Sequence, residues 1–194
     1  MVAAARPVAG VEVAPVLSML EWRRDRVVVQ QWDLSCGAAA LATILNHQFG
    51  DLVSEREIAL TMMRRREYVE RPDLVRMRQG FSLLDLKRFV EARGYRGYGI
   101  GKLQLAELER LAPAIVPVNH HGYDHFVVFR GRHGDRVLVA DPAWGNVSMT
   151  VEQFEARWME TASFGRVAFA VRLPGSFQLP NYLAPMAADL LTIR

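Results

Sequence analysis

Gln30-Gln31-Trp32-Asp33-Leu34-Ser35-Cys36-Gly37-Ala38-Ala39-Ala40-Leu41 contains the single cysteine of a 194-residue chain, and its character changes at that cysteine. Polar and turn-forming residues come first. From Cys36 to about His47 the run is rich in Ala and Leu, and Ala39, Leu41, Ala42, Ile44 and Leu45 mark a well-buried helix. Cys36 therefore opens a helix, where backbone N–H groups lack intrahelical partners and the helix dipole is positive. Both favour the thiolate, the form that attacks a carbonyl carbon, and an accessible, reactive thiol is expected. A lone cysteine is also a common core residue, so a partner base has to decide between the two readings.

Downstream of this helix the first half stays helical. Ser54-Glu55-Arg56-Glu57 reads as a capping box opening a helix to about Met63, with Glu57 reaching back to the cap. Ser82-Leu83-Leu84-Asp85 starts another over 83–93, stopped by Gly94, and Leu103 to Leu111 forms a short fourth. The basic run Arg64-Arg65-Arg66 reads as a solvated helix end. The second half changes to strand-like runs: Ala114–Val118, His125–Phe129, Arg136–Ala140 and, last, Arg166–Arg172. Between them Thr150-Val151-Glu152-Gln153 caps a helix that runs to Trp158. Helices first and strands later give an α+β fold with an antiparallel sheet.

The strands supply the base. His125 opens one run, Asp141 closes the next, and Gly131-Arg132-His133-Gly134-Asp135 between them has the composition of a reverse turn. A hairpin folded about His133 sets opposite each other residues whose numbers sum to about 266, so His125 faces Asp141. Cross-strand Cβ atoms lie about 4.5–5.5 Å apart, within reach of a side-chain hydrogen bond. Cys36, His125 and Asp141 then form a nucleophile, a base and the carboxylate that orients it. Both strands are continuous apolar runs, which argues for a central hairpin rather than a solvated one.

His120, His121, Asp124 and His125 invite a metal reading, but they lie in a Gly-containing loop without the spacing zinc sites use; no metal and no cofactor is expected. His121, or its neighbour His120, is instead a candidate for the substrate cleft, as is Gly37, which leaves room beside the cysteine. An oxyanion donor is needed as well. The Cys36 N–H is one candidate, and Gln30 or Gln31 supplies a side chain, with chemistry alone leaving the choice between them open. The net charge of +3 gives little support to a nucleic-acid partner. A single cysteine excludes an intramolecular disulfide, and no apolar run of 18 residues is present to span a membrane as a helix. Met1 to Leu20 is apolar but interrupted by Pro7, Glu12 and Pro15; it reads as a poor signal peptide, or equally as a mature terminus.

Gln30 through Leu41, with a glutamine six positions before a Cys-Gly that opens an Ala/Leu helix, resembles the first motif of the C39 peptidases. His125-Phe126-Val127-Val128 and Asp141-Pro142-Ala143-Trp144-Gly145 resemble that family's histidine and aspartate motifs. The resemblance covers about Val27 to Arg172. It implies a papain-like cysteine peptidase fold over 27–172, with 1–26 as a lead-in and 173–194 as a Pro-interrupted apolar tail. It also implies that Gln30 is the oxyanion residue, Cys36 the nucleophile, His125 the general base and Asp141 the orienter. Ser35 departs from the aspartate many members carry there, and no transporter motif accompanies the domain. The chain resembles the stand-alone bacterial members, some of which work beside secretion systems, including those for functional amyloid. The implied substrate is a peptide or leader of a secreted or surface protein, the implied partner a secretion-system component, and the implied setting periplasmic or exported. A module that binds such a peptide without cutting it, and an acyltransferase on the same fold, are the alternatives.

Overall fold

The computed structural model describes residues 18–77, 80–120, 122–175, 179–187 and 189. Helix α1 (Met19–Arg24) leads into a loop and then α2 (Cys36–Gln48), α3 (Glu55–Met63), the short α4 (Arg66–Glu70) and α5 (Leu74–Met77), and α6 (Leu83–Ala92). Strand β1 (Arg96–Ile100) and helix α7 (Leu105–Leu111) precede β2 (Ala114–His120), β3 (Tyr123–His133), β4 (Arg136–Asp141) and β5 (Gly145–Thr150). Helix α8 (Val151–Arg157), the two-residue strands β6 (Glu160–Thr161) and β7 (Gly165–Arg166), and β8 (Ala168–Arg172) follow. Six strands form one antiparallel sheet in the order β1-β8-β2-β3-β4-β5. The α+β expectation holds, and β3 and β4 lie inside the sheet.

Helix α2 is buried from Cys36 through Leu45. Its alanines let it lie close to the sheet, in one apolar cluster with Ile115 on β2, Val128 on β3, Ala140 on β4 and Phe169 on β8. A helix apolar on all sides has no other stable place. Its one mid-helix hydroxyl, Thr43, is satisfied twice: Oγ1 donates to the Ala39 carbonyl and accepts from Val28 N–H, both at 2.9 Å. The opposite sheet face carries a second cluster, built on Val116, Val127, Phe129 and Val139 and covered by Leu108, Phe154 and Trp158. Residues 180–183 close over the α2 end, where Gln48 donates to the Pro180 carbonyl and accepts from the Tyr182 N–H. Leu183 enters the first cluster, and its carbonyl accepts from the fully buried Arg130 at 2.7 Å.

Three expectations need correction. Glu57 does not close a capping box on Ser54; its carboxylate takes Arg93 instead, at 3.0 Å, and only the Ser54 half of the cap forms. The boxes at Ser82 and Thr150 are complete. The arginine run is not wholly solvated, because Arg65 turns in to pair with Asp85, a carboxylate only 1% exposed. An unpaired charge there would carry a large desolvation cost. The hairpin register also differs. Gly134, at φ +61°, takes the left-handed turn position, and His133 pairs with Arg136. A bulge between Phe129 and Gly131 then leaves Val128 opposite Ala140. Extended one step, this register sets Val127, not His125, opposite Asp141. The error is two residues, and side chains alternate with a period of two, so His125 and Asp141 keep the same face and become diagonal neighbours.

Beyond Asp141 the chain turns through Pro142-Ala143-Trp144 and re-enters the sheet at Gly145, which pairs with Asp141. Gly145 has φ +83°, and a Cβ there would run into the carbonyl oxygen of Arg23. Gly145→Ala should therefore destabilise the protein by about 2–3 kcal/mol, since left-handed strain and overpacking each cost on the order of 1–3 kcal/mol. Urea unfolding of the variant checks this, and an unchanged midpoint would contradict it.

Candidate active site

Helix α2 brings Cys36 to the sheet at its N-terminal end, and β3 brings His125 to meet it. His125 Nε2 lies 2.8 Å from Asp141 Oδ1. The same carboxylate oxygen accepts from the Ala143 N–H at 2.7 Å and the Trp144 N–H at 3.3 Å, which ties the loop after β4 around it. A carboxylate bonded to Nε2 fixes the proton there and leaves Nδ1 as the basic nitrogen. Nδ1 is buried and makes no hydrogen bond of its own. Cys36 is its neighbour, close enough to bias the ring electrostatically. Burial disfavours the imidazolium, but the bond to Asp141 and the adjacent Cys36 outweigh it and raise His125 to about 9.

Cys36 is only 3% exposed, so the expected accessible thiol is corrected. The helix that positions the cysteine buries it in the same act. Gly37 does not open space beside it either. A Cβ at that position would lie in ordinary contact with Phe126 at 3.4 Å and Leu86 at 3.7 Å, so Gly37 faces the packing between α2, α6 and β3. Tyr123, whose ring centroid lies 5.9 Å from that of His125, is partly exposed above. Its hydroxyl is pushed toward higher pKa by burial and then by the neighbouring Cys36.

Gln30 sits beside this pair because its backbone N–H donates to the Pro142 carbonyl at 2.8 Å, directly after Asp141. Its side-chain amide donates to the Trp32 carbonyl at 3.0 Å. An amide nitrogen carries two hydrogens, so one stays available for a developing oxyanion. Gln31 is exposed and its backbone N–H turns to Glu55, at 3.0 and 3.2 Å. The two glutamines thus differ in setting: Gln30 is half-buried and tied to the loop after Asp141, whereas Gln31 is exposed. His121 lies outside the described residues. In the loop read as a possible metal cluster, Asn119 donates to Asp124 at 2.7 Å, and His125 turns to Asp141.

Sequence reading missed Glu55. It stands in a helix-start motif that predicts a solvated cap, yet its side chain is buried, with the residue 4% exposed, beneath the Gln31–Ser35 loop. Nothing in the local pattern signals this, because the groups it binds come from twenty residues earlier.

The model of the peptidase C39 family matches residues 24–164. A probable functional amyloid protease FapD of Pseudomonas aeruginosa is 41% identical over 155 residues, covering 79% of this chain and 66% of that protein. A probable functional amyloid protease FapD of Pseudomonas fluorescens is 39% identical over 160 residues, covering 81% of this chain and 68% of that one. The chain thus spans about two thirds of the length of these relatives. Among solved structures, a double glycine motif protease from an AMS/PCAT transporter, in complex with the leader peptide, is similar with a TM-score of 0.59. The match covers 76% of this chain and 90% of that one at 22% identity, a likeness of papain-like fold.

The raised pKa of His125 makes a pH prediction. A group raised from 6.5 to about 9 on folding stabilises the native state fully below pH 6.5, and that contribution is lost as pH rises through about 9. The stability advantage of the wild type over His125→Asn should be largest at pH 6 and shrink steadily toward pH 9.5. Urea unfolding across that range reads it. An advantage that grows with pH would contradict the assigned ring environment.

Proposed function

Since the chain belongs to the peptidase C39 family, we propose that it is a cysteine endopeptidase with Cys36 as nucleophile, His125 as base and Asp141 as the residue that orients the base. The observation that carries this reading is a buried imidazole bonded through Nε2 to a carboxylate, with Cys36, at a helix start, acting on the same ring. Nδ1 takes the thiol proton. The thiolate adds to the scissile carbonyl, and the oxyanion is held by the Cys36 N–H and the Gln30 amide. Imidazolium then protonates the departing amine, leaving a thioester on Cys36. A water molecule, deprotonated by the same nitrogen, hydrolyses that thioester and frees the acid and the thiol.

The proposed substrate is a peptide or leader segment of a secreted or surface protein. The two Pseudomonas relatives are named as functional amyloid proteases, which makes a fibre-forming subunit the first substrate to try and a secretion component the proposed partner. An apolar hollow of about 310 Å³ beside Ser35, lined by Trp32, Leu34, Leu60, Met63 and Phe81, suits aliphatic or aromatic side chains of an extended peptide.

Two experiments test this. Incubating a fibre-subunit precursor with wild type or Cys36→Ala, read by intact mass, should give a new N-terminus with wild type alone. Equal cleavage by both would remove Cys36 from the chemistry, and stable binding by both without cleavage would favour a binding module. On the cleaved substrate, Gln30→Ala should lower kcat on the order of 100- to 1000-fold, as loss of an oxyanion donor does, with KM little changed. Gln31→Ala should stay within about threefold, because its side chain is solvated; a crippled Gln31 variant would transfer the oxyanion role to it.

A further inference from the structure

Serine at a helix N-cap ordinarily turns its hydroxyl onto the first free N–H groups of the helix. Ser35 occupies that position before α2 and makes no such bond. Its hydroxyl goes instead to the Glu55 carboxylate and to the Trp32 carbonyl, the latter at 2.6 Å. The first-turn N–H groups of the nucleophile helix are thereby left without a side-chain cap. Glu55 also accepts the Gln31 N–H through both carboxylate oxygens. One buried carboxylate at the start of α3 thus grips the loop at both ends: directly after Gln30 and directly before Cys36. Between those ends Leu34 is held at φ +66°, a left-handed conformation that costs a non-glycine residue roughly 1–2 kcal/mol and persists only when its surroundings enforce it.

We infer that Glu55 is a positioning residue for the oxyanion side of the site, holding the Gln31–Ser35 loop so that the Gln30 amide and the uncapped first turn of α2 converge on one point. The inference rests on the peptidase reading above. Without the carboxylate, Ser35 is free to rotate onto the helix N-terminus and occupy the donors the oxyanion needs. The Gln31 backbone, released from its anchor, lets the Gln30 amide drift. Glu55 touches neither substrate nor thiol; it acts through Gln30 and the Cys36 N–H.

The test uses the p-nitrophenyl ester of N-acetylglycylglycine as acyl donor, following p-nitrophenolate release by wild type, Cys36→Ala, Glu55→Gln, Gln30→Ala and the Glu55→Gln/Gln30→Ala pair. Circular dichroism and thermal unfolding accompany each variant, and rates are taken well below every midpoint. Glu55→Gln should lower kcat roughly 10- to 100-fold, the scale of a misplaced catalytic contact, with KM within about twofold. In the Gln30→Ala background the same substitution should cost little more, because the two act as one unit. If Glu55→Gln does not fold, Glu55→Asp, which keeps the charge but draws it back from both links, takes its place with the same coupling to Gln30→Ala. A folded variant with wild-type kcat, or a loss that adds in full to that of Gln30→Ala, overturns the inference while leaving the peptidase reading intact. Ester turnover that is equal in wild type and Cys36→Ala overturns that reading, and this inference with it.

Discussion

A helix with no solvent face governs this structure. Helix α2 is buried from Cys36 to Leu45, so its position is set by apolar packing on every side rather than by its own helix propensity. Strands β2, β3, β4 and β8 all contribute to the cluster that holds it. A helix so confined cannot slide or rotate without opening cavities in a close-packed interior. Its first residue is therefore fixed relative to the sheet, and the sheet carries His125 and Asp141. Burial of the thiol is the consequence of that confinement, not a separate feature.

The polar part of the site depends on the same rigidity. The His125 ring is buried, and burial alone would strip its proton; Asp141 and Cys36 reverse that balance. Asp141 does so while also accepting two backbone N–H groups from the loop that follows it. That loop in turn supplies the carbonyl that anchors Gln30. Cys36, His125, Asp141 and Gln30 thus belong to one connected set of contacts between a helix start and two strand ends. Networks of this kind are more than a sum of pairs, since each member fixes the geometry on which the next depends.

Carboxylates in this chain are placed by partners distant in sequence. Asp85 completes a capping box and is also buried against Arg65 and Tyr68. Glu55 begins a helix and is buried against a loop from twenty residues earlier. Glu57, the residue with the stronger capping signature, reaches away to Arg93. Capping is worth about 1 kcal/mol, and a better-placed charge partner overrides it.

The amino-acid sequence by itself determined the buried helix opening at Cys36, the α+β order of elements and the shared face of His125 and Asp141. These follow from local periodicity: apolar spacing marks the helix, and alternation with period two survives a register error of two residues. Tertiary structure alone decided the rest. The bulge after Phe129 set the true register, packing of α2 covered the thiol, and the Pro142 carbonyl anchored Gln30 next to Asp141. Glu55 was recruited beneath the nucleophile loop by Gln31 and Ser35. Each of these is a contact between segments far apart in the chain, and its energy depends on what the fold brings alongside, which no local pattern of residues encodes.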